Sequence, residues 1–298
     1  MEHFISNLKT QFKQGGILIQ LIYINVLIFL IASILKVIGT LLGFGSEINH
    51  ILEYFYLPSN LQTFIFRPWT LITYMFFHQD ILHILFNMLW LYWFGTIFKA
   101  HFNPRTLGGL YFLGGIFGGI IFLISYNVFP YFDAARYNST LIGASASVLA
   151  IVVATAFRLP NLNLQFFLLG TIKLKWVALV IVLLDLISIT SDNAGGHIAH
   201  LGGALAGYIF SLNWRSDKDI TSYINKIIDQ IVNLFKPKNR LKVKVNRRSP
   251  LETDQEYRNR KKNAQDEINA ILDKVKKSGY QSLSDPEKRR LFEESKKN

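Results

Sequence analysis

The sequence predicts an all-α, polytopic membrane protein: a bundle of six transmembrane helices followed by a charged, helical cytosolic tail. Three observations predict it. Half of the 298 residues are apolar and mean hydropathy is +0.25, although the C-terminal third is polar; that balance is ordinary for a multi-span chain and unusual for a soluble one. Six apolar runs of roughly 17–25 residues are each long enough to cross a hydrocarbon core. Lys and Arg fall unevenly on the connections between them, as they do on the two sides of a membrane protein.

Residues 1–16, "MEHFISNLKTQFKQGG", form a polar cytosolic N-terminus without the short apolar core and small-residue cleavage site of a removable signal peptide, so the first run is expected to be retained. The runs lie at 17–38, 82–102, 106–127, 140–157, 175–191 and 195–214, within a membrane region spanning 17–214. The fifth is poorly defined at its start, where "LQFFLLGTIKLK" is interrupted by Lys173 and Lys175. The long connection at about 39–81 is rich in Phe, Tyr and Trp but broken by Pro58 and Pro68. Such a segment suits the headgroup boundary, as an interfacial loop with short helical pieces on the outer face. Reading it as an extra span would reverse everything downstream and violate the charge rule.

One set of connections carries Lys9, Lys13, Lys99, Arg105, Arg158, Lys173, Lys175 and the basic tail; the other carries little beyond Lys36, Arg67 and Arg136. Both termini are therefore expected in the cytoplasm, in a membrane of the bacterial inner-membrane type. Residues 215–252 begin with Ile220, Ile224, Ile227, Ile231 and Phe235 at helical intervals, an amphipathic helix for the inner surface, and continue as the basic linker "KPKNRLKVKVNRRSP". Residues 253–298 are highly charged with a helical pattern, and Ser284, Pro286 and Glu287 mark a helix start. A small helical hairpin is expected there, with a disordered tail of nascent helix as the alternative. The formal charge of +12 is concentrated in this last third, which points to a cytoplasmic tail rather than to nucleic acid. The tail is a candidate for contacting lipid or a cytosolic partner. There is no cysteine, hence no disulfide and no thiolate metal site.

Polar groups inside spans are costly and default to functional candidates. Four of the seven histidines cluster near run starts: His78 and His83 at the second, His197 and His200 at the sixth. The second, fourth and sixth runs all enter from the outer face. Ser145 and His200 each lie about five residues inside their runs, which would place both roughly 7–8 Å below the helix ends. His83 and Asn87 are four apart and share one helix face. His200, Gly203 and Gly207 also share a face, and Gly143, Ala144 and Ala146 strip bulk from around Ser145, so the fourth and sixth helices can approach closely. A serine, a histidine and two donors at one level are the parts of an acyl-transfer site.

"HILFN" (83–87), "GASA" (143–146) and "HLGGALAG" (200–207) resemble, in order, three motifs of the rhomboid family of intramembrane serine proteases. The resemblance covers about residues 17–214. It implies Ser145 as nucleophile, His200 as general base, and His83 and Asn87 as oxyanion-hole side chains beside the Ser145 backbone N–H. It implies no cofactor and no metal. Its substrates would be single-span membrane proteins cleaved near the outer surface. Two departures stand out: Ala146 replaces the usual glycine after the serine, and the loop's Trp-Arg pair becomes Trp69-Thr70 with Arg67 upstream. No carboxylate follows His200 within two turns, so a Ser-His dyad is expected, with Asp185 an isolated structural acid. Ser147 is read as a packing serine, His197 as a weaker rival base, and His78 as a hydrogen-bonding loop residue. The chain lacks H-E-x-x-H and paired membrane aspartates, which removes metalloprotease and aspartyl-protease readings. A catalytically inactive rhomboid-like binder or chaperone of membrane proteins is the alternative function.

Overall fold

The computed structural model describes residues 2–166, 170–213, 220–235 and 253–295. The basic linker and part of the apolar run before the fifth span lie outside the described residues. Two compact units result, residues 1–236 and 237–298.

The larger unit opens with α1 (Glu2–Gln14), a polar helix, and α2 (Gly16–Leu41), an apolar one. The connection that follows folds into short pieces: α3 (Gly45–Glu53), β1 (Leu57–Pro58), α4 (Leu61–Phe66) and α5 (Thr70–Thr73). Side chains rather than length hold these pieces. Asn60 caps α4 by accepting from the Thr63 N–H at 3.1 Å, the Trp69 indole donates to the Tyr54 carbonyl at 2.9 Å, and the Thr73 hydroxyl donates to the Phe55 carbonyl at 2.7 Å. Then come α6 (Ile81–His101), capped by Asp80, and α7 (Pro104–Val128), capped by Asn103 with proline in its first turn. β2 (Thr140–Leu141) precedes α8 (Ser145–Arg158). The hairpin of β3 (Asn163–Phe166) and β4 (Gly170–Lys173) precedes α9 (Leu174–Ile187), which is followed by α10 (Ala194–Asn213) and α11 (Ile220–Phe235).

All six apolar runs are helical over most of their length, but the fourth starts later than the sequence predicts, and the unit is not purely helical. The fourth helix begins at Ser145 rather than 140, because residues 140–141 pair antiparallel with β1 (Leu57 with Leu141, Pro58 with Thr140) and Gly143 adopts φ +127°. A residue in that conformation cannot continue a right-handed helix. The fifth starts at Leu174, within one residue of the expected 175, and the apolar stretch before it holds the antiparallel hairpin β3–β4.

Among the described residues, α2, α6 and α7 are long and apolar enough to cross a membrane. α8 has 14 residues, about 21 Å of helix against a hydrocarbon core of about 30 Å. It does not meet lipid: every residue from Ala146 to Ala156 is buried. It forms the axis of the bundle, enclosed by α7 and α10 through small residues. An added methyl at Gly114 of α7 would overlap Ala150, one at Gly203 of α10 would overlap the Ala146 carbonyl, and one at Gly207 would overlap the Ala150 carbonyl. Outward faces are the reverse. Leu27 is 58% exposed, and Leu30, Ile31, Leu82, Leu85, Phe86, Leu183 and Leu184 are exposed with it. A water-soluble protein does not present an apolar surface of that extent, whereas acyl chains cover it without cost. α11 lies against the start of α7, where the Asn225 amide donates to the Arg105 carbonyl at 3.1 Å.

The smaller unit is a hairpin of α12 (Asp254–Ser278) and α13 (Asp285–Ser295) around Ile268, Ile271 and Leu283. Thr253 and Glu256 form a reciprocal capping box on α12. Glu287 accepts from the Ser284 backbone and hydroxyl at 2.7 and 2.9 Å and from the Lys274 ammonium at 2.9 Å. These bonds, led by the Ser284 backbone N–H, hold its pKa down to about 2. Its contribution is therefore present above the usual carboxylate range and lost as pH falls through about 2. Carboxyl ¹³C shifts in the full chain should show Glu287 titrating last of the acids in this unit, and Lys274→Ala should raise its midpoint.

Candidate active site

A cavity of about 790 Å³ opens into the bundle, and Ser145, His200, His83 and Asn87 all lie on its wall. The four residues singled out in the sequence are thus brought to one place, from α8, α10 and α6.

Ser145 is the first residue of α8, not a residue one turn inside it. That placement matters chemically. The leading N–H groups of a helix have no intrahelical partner, and the helix dipole puts its positive end there. The approach segment is fixed by β1–β2 pairing and by the Gly143 N–H, which donates to the Tyr74 carbonyl at 3.0 Å. Ser145 Oγ makes no hydrogen bond among the described residues, so the bond to His200 is not formed here. Resting geometries of this kind commonly tighten only around substrate. Ser147 is fully buried and off the cavity wall.

His83 occupies the first turn of α6, its backbone N–H held by Asp80 at 2.8 Å. Its Nδ1 faces the Gln79 N–H in a long 3.5 Å contact. An accepting Nδ1 leaves the proton on Nε2, the atom aimed at Gly143. A methyl group built on Gly143 would stand 2.9 Å from His83 Nε2 and 3.6 Å from Ser145 Oγ, so the missing side chain is the gap between donor and hydroxyl. One turn on, the Asn87 amide donates to the His83 carbonyl at 3.0 Å, which orients its remaining N–H and oxygen. His78 packs edge-on against His83 with ring centroids 5.1 Å apart. The hydrogen bond expected for it in the loop is missing: neither ring nitrogen finds a well-aligned partner among the described residues. Burial, then the neighbouring His83, pushes its pKa down to about 4, so it packs as a neutral ring.

His200 sits in the second turn of α10, and its Nδ1–H donates to Asp185 Oδ1 at 2.8 Å. Asp185, on α9, is buried and also accepts from His197 Nδ1 at 2.8 Å. The expectation that His200 lacks a carboxylate partner, with Asp185 isolated, is therefore corrected. The partner comes from the preceding helix. A signal for it existed: antiparallel helices joined by a short turn set residues at similar distances from that turn side by side, and Asp185 and His197–His200 flank the 188–193 connection.

A model of the Rhomboid domain matches residues 66–215. The chain belongs to the rhomboid family. It is 33% identical over 155 residues to RHOMBOID-like protein 12, mitochondrial, of Arabidopsis thaliana, an alignment covering 48% of this chain and 45% of that one. It is 27% identical over 160 residues to presenilin-associated rhomboid-like protein A, mitochondrial, of Danio rerio, covering 51% and 40%. It is also 33% identical over 110 residues to Rhomboid-like protein 16, chloroplastic, of Arabidopsis thaliana, covering 34% of each. The chain thus spans less than half the length of these relatives. A model of a family of unknown function matches residues 251–297, the C-terminal hairpin. Apolar helices and family together make this rhomboid an integral membrane protein.

Both departures from the rhomboid pattern find structural accommodation. A Cβ on Gly118 of α7 would lie 2.6 Å from the Ala146 methyl, so that methyl points into α7 rather than into the cavity. Thr70 donates to the Arg67 carbonyl at 2.6 Å, and the Arg67 guanidinium stacks 3.8 Å from the Tyr54 ring centre, which keeps the loop together without an adjacent Trp-Arg pair. Gly143 has no such latitude. At φ +127° with His83 Nε2 2.9 Å from its would-be Cβ, Gly143→Ala is expected to slow serine labelling by about 10²-fold and to lower the thermal midpoint as well, because alanine is strained in this backbone conformation.

Proposed function

We propose that this rhomboid is an intramembrane serine endopeptidase that cleaves single-span membrane proteins, with Ser145 as nucleophile, His200 as general base, and His83, Asn87 and the Ser145 N–H as oxyanion donors. The observation that carries this reading is the convergence of hydroxyl, imidazole and protonated donors on one open cavity inside an otherwise apolar bundle. A free serine hydroxyl is a poor nucleophile. As Oγ attacks the peptide carbonyl, its proton passes to His200 Nε2 and the carbonyl π electrons move to oxygen. The donors beside Gly143 meet that oxyanion, each worth about 2.7–4 kcal/mol. Collapse breaks the C–N bond, His200 returns the proton to the leaving nitrogen, and a cavity water repeats the sequence on the acyl-enzyme. Gly143, Gly203 and Gly207 serve by their lack of bulk, bringing α6, α8 and α10 close enough for these transfers.

We read the bundle as six spans with both termini on the cytoplasmic side of a bacterial inner membrane, on the strength of the Lys and Arg distribution; the named relatives that carry a compartment are organellar. Substrate helices containing small or helix-breaking residues are favoured, because a chain must be extended to reach Ser145. The test reconstitutes the full chain in liposomes with a single-span substrate. Wild type should yield cleavage products, and Ser145→Ala none. A non-catalytic binder of membrane proteins would capture the same substrate and leave it intact.

A further inference from the structure

We propose that Asp185 positions His200, so that the reacting unit is a Ser145–His200–Asp185 relay rather than a bare pair; this rests on the protease reading above. Asp185 belongs to α9, is 4% exposed, and its Oδ1 accepts Nδ1–H bonds of 2.8 Å from both His200 and His197. An imidazole anchored through Nδ1–H presents an unprotonated Nε2 on its far side. His200 lies on the cavity wall with Ser145, and His197 does not, so of the two rings it is His200 that shares the cavity with the hydroxyl.

A carboxylate in this position has two effects. It fixes the tautomer and rotation of the base, and it stabilises the imidazolium formed when Nε2 takes the Ser145 proton. The Nδ1 proton stays on His200 and is not passed to Asp185. His197 supports the acid. One turn earlier on α10, it donates to the same oxygen, and Asp185 Oδ2 has no partner among the described residues. The two imidazoles therefore carry the hydrogen bonding of a buried charge, which is costly to leave unpaired. A divalent cation would suit the same three groups, whose ligand atoms lie within 4.8 Å of one another. The two arrangements are mutually exclusive, because a metal must displace both Nδ1 protons.

The test measures fluorophosphonate inactivation of the full chain in detergent, separating the maximal rate, kinact, from the half-saturating concentration, KI. Asp185→Asn should lower kinact by about 10²-fold or more with KI within about threefold, since the cavity is unchanged and only the base is misoriented. Asp185→Glu should recover part of that rate, and His197→Ala should fall less than Asp185→Asn. A merely structural acid would move the thermal midpoint without splitting kinact from KI. Wild-type kinact in Asp185→Asn overturns the relay, as does loss of labelling on treatment with 1,10-phenanthroline, which would make the cluster a metal site. If Ser145→Ala and His200→Ala also label like wild type, the protease reading itself fails. Should Asp185→Asn not fold, ¹H–¹⁵N spectra of the phosphonylated wild type decide: a low-field Nδ1 proton on His200 supports the relay, and its absence overturns it.

Discussion

Gly203→Leu is expected to prevent the bundle from assembling. A single methyl at this position overlaps the Ala146 carbonyl, and the next glycine along the face, Gly207, stands in the same relation to the Ala150 carbonyl. Backbone cannot rotate aside as a side chain can, so α10 must move away from α8 along its length. Overpacking of this kind costs about 1–3 kcal/mol even where neighbours can adjust, and here the obstacle is the main chain of the most buried helix. Displacing α10 also withdraws His200 from the cavity that holds Ser145. The expected readout is a thermal midpoint, followed by tryptophan fluorescence in detergent, well below that of every substitution on the outer face of α10, together with complete loss of serine labelling. Leu205→Val is the comparison. Leu205 is exposed on the same helix, and trimming it should shift the midpoint little.

His200→Ala carries the largest expected effect on activity alone. On the proposed mechanism this imidazole accepts the Ser145 proton, so its loss should lower substrate cleavage by about 10³-fold or more, matching Ser145→Ala within error. The two losses should not add, because nucleophile and base act in one step. His200→Ala also frees one of two hydrogen bonds on Asp185, whereas Ser145→Ala frees none. A lower thermal midpoint is therefore expected for His200→Ala than for Ser145→Ala, with equal inactivity.

Much of this site was legible before any coordinates. His83 and Asn87, four apart, do share a face of α6, and the small residues around Ser145 do mark close helix contact. Those features follow from helical period and side-chain volume, which are local in sequence. What the sequence concealed depends on tertiary context. Gly143 gave no sign of its left-handed backbone, so Ser145 was expected a turn inside a helix that it in fact begins. The apolar stretch after Arg158 carries no strand signature strong enough to separate a hairpin from the start of a span. Asp185 was an isolated acid by sequence because its partners sit across a turn, and only the antiparallel pairing of α9 and α10 sets one oxygen between two imidazoles.

The claim on which the rest depends is that the hydroxyl of Ser145, and no other, is made reactive by its neighbours. Peptide mapping by mass spectrometry after fluorophosphonate treatment of the full chain tests it most directly. The expected result is one adduct on Ser145, present in wild type and gone in His200→Ala. An adduct on Ser147, or folded protein that takes up no reagent, would contradict it.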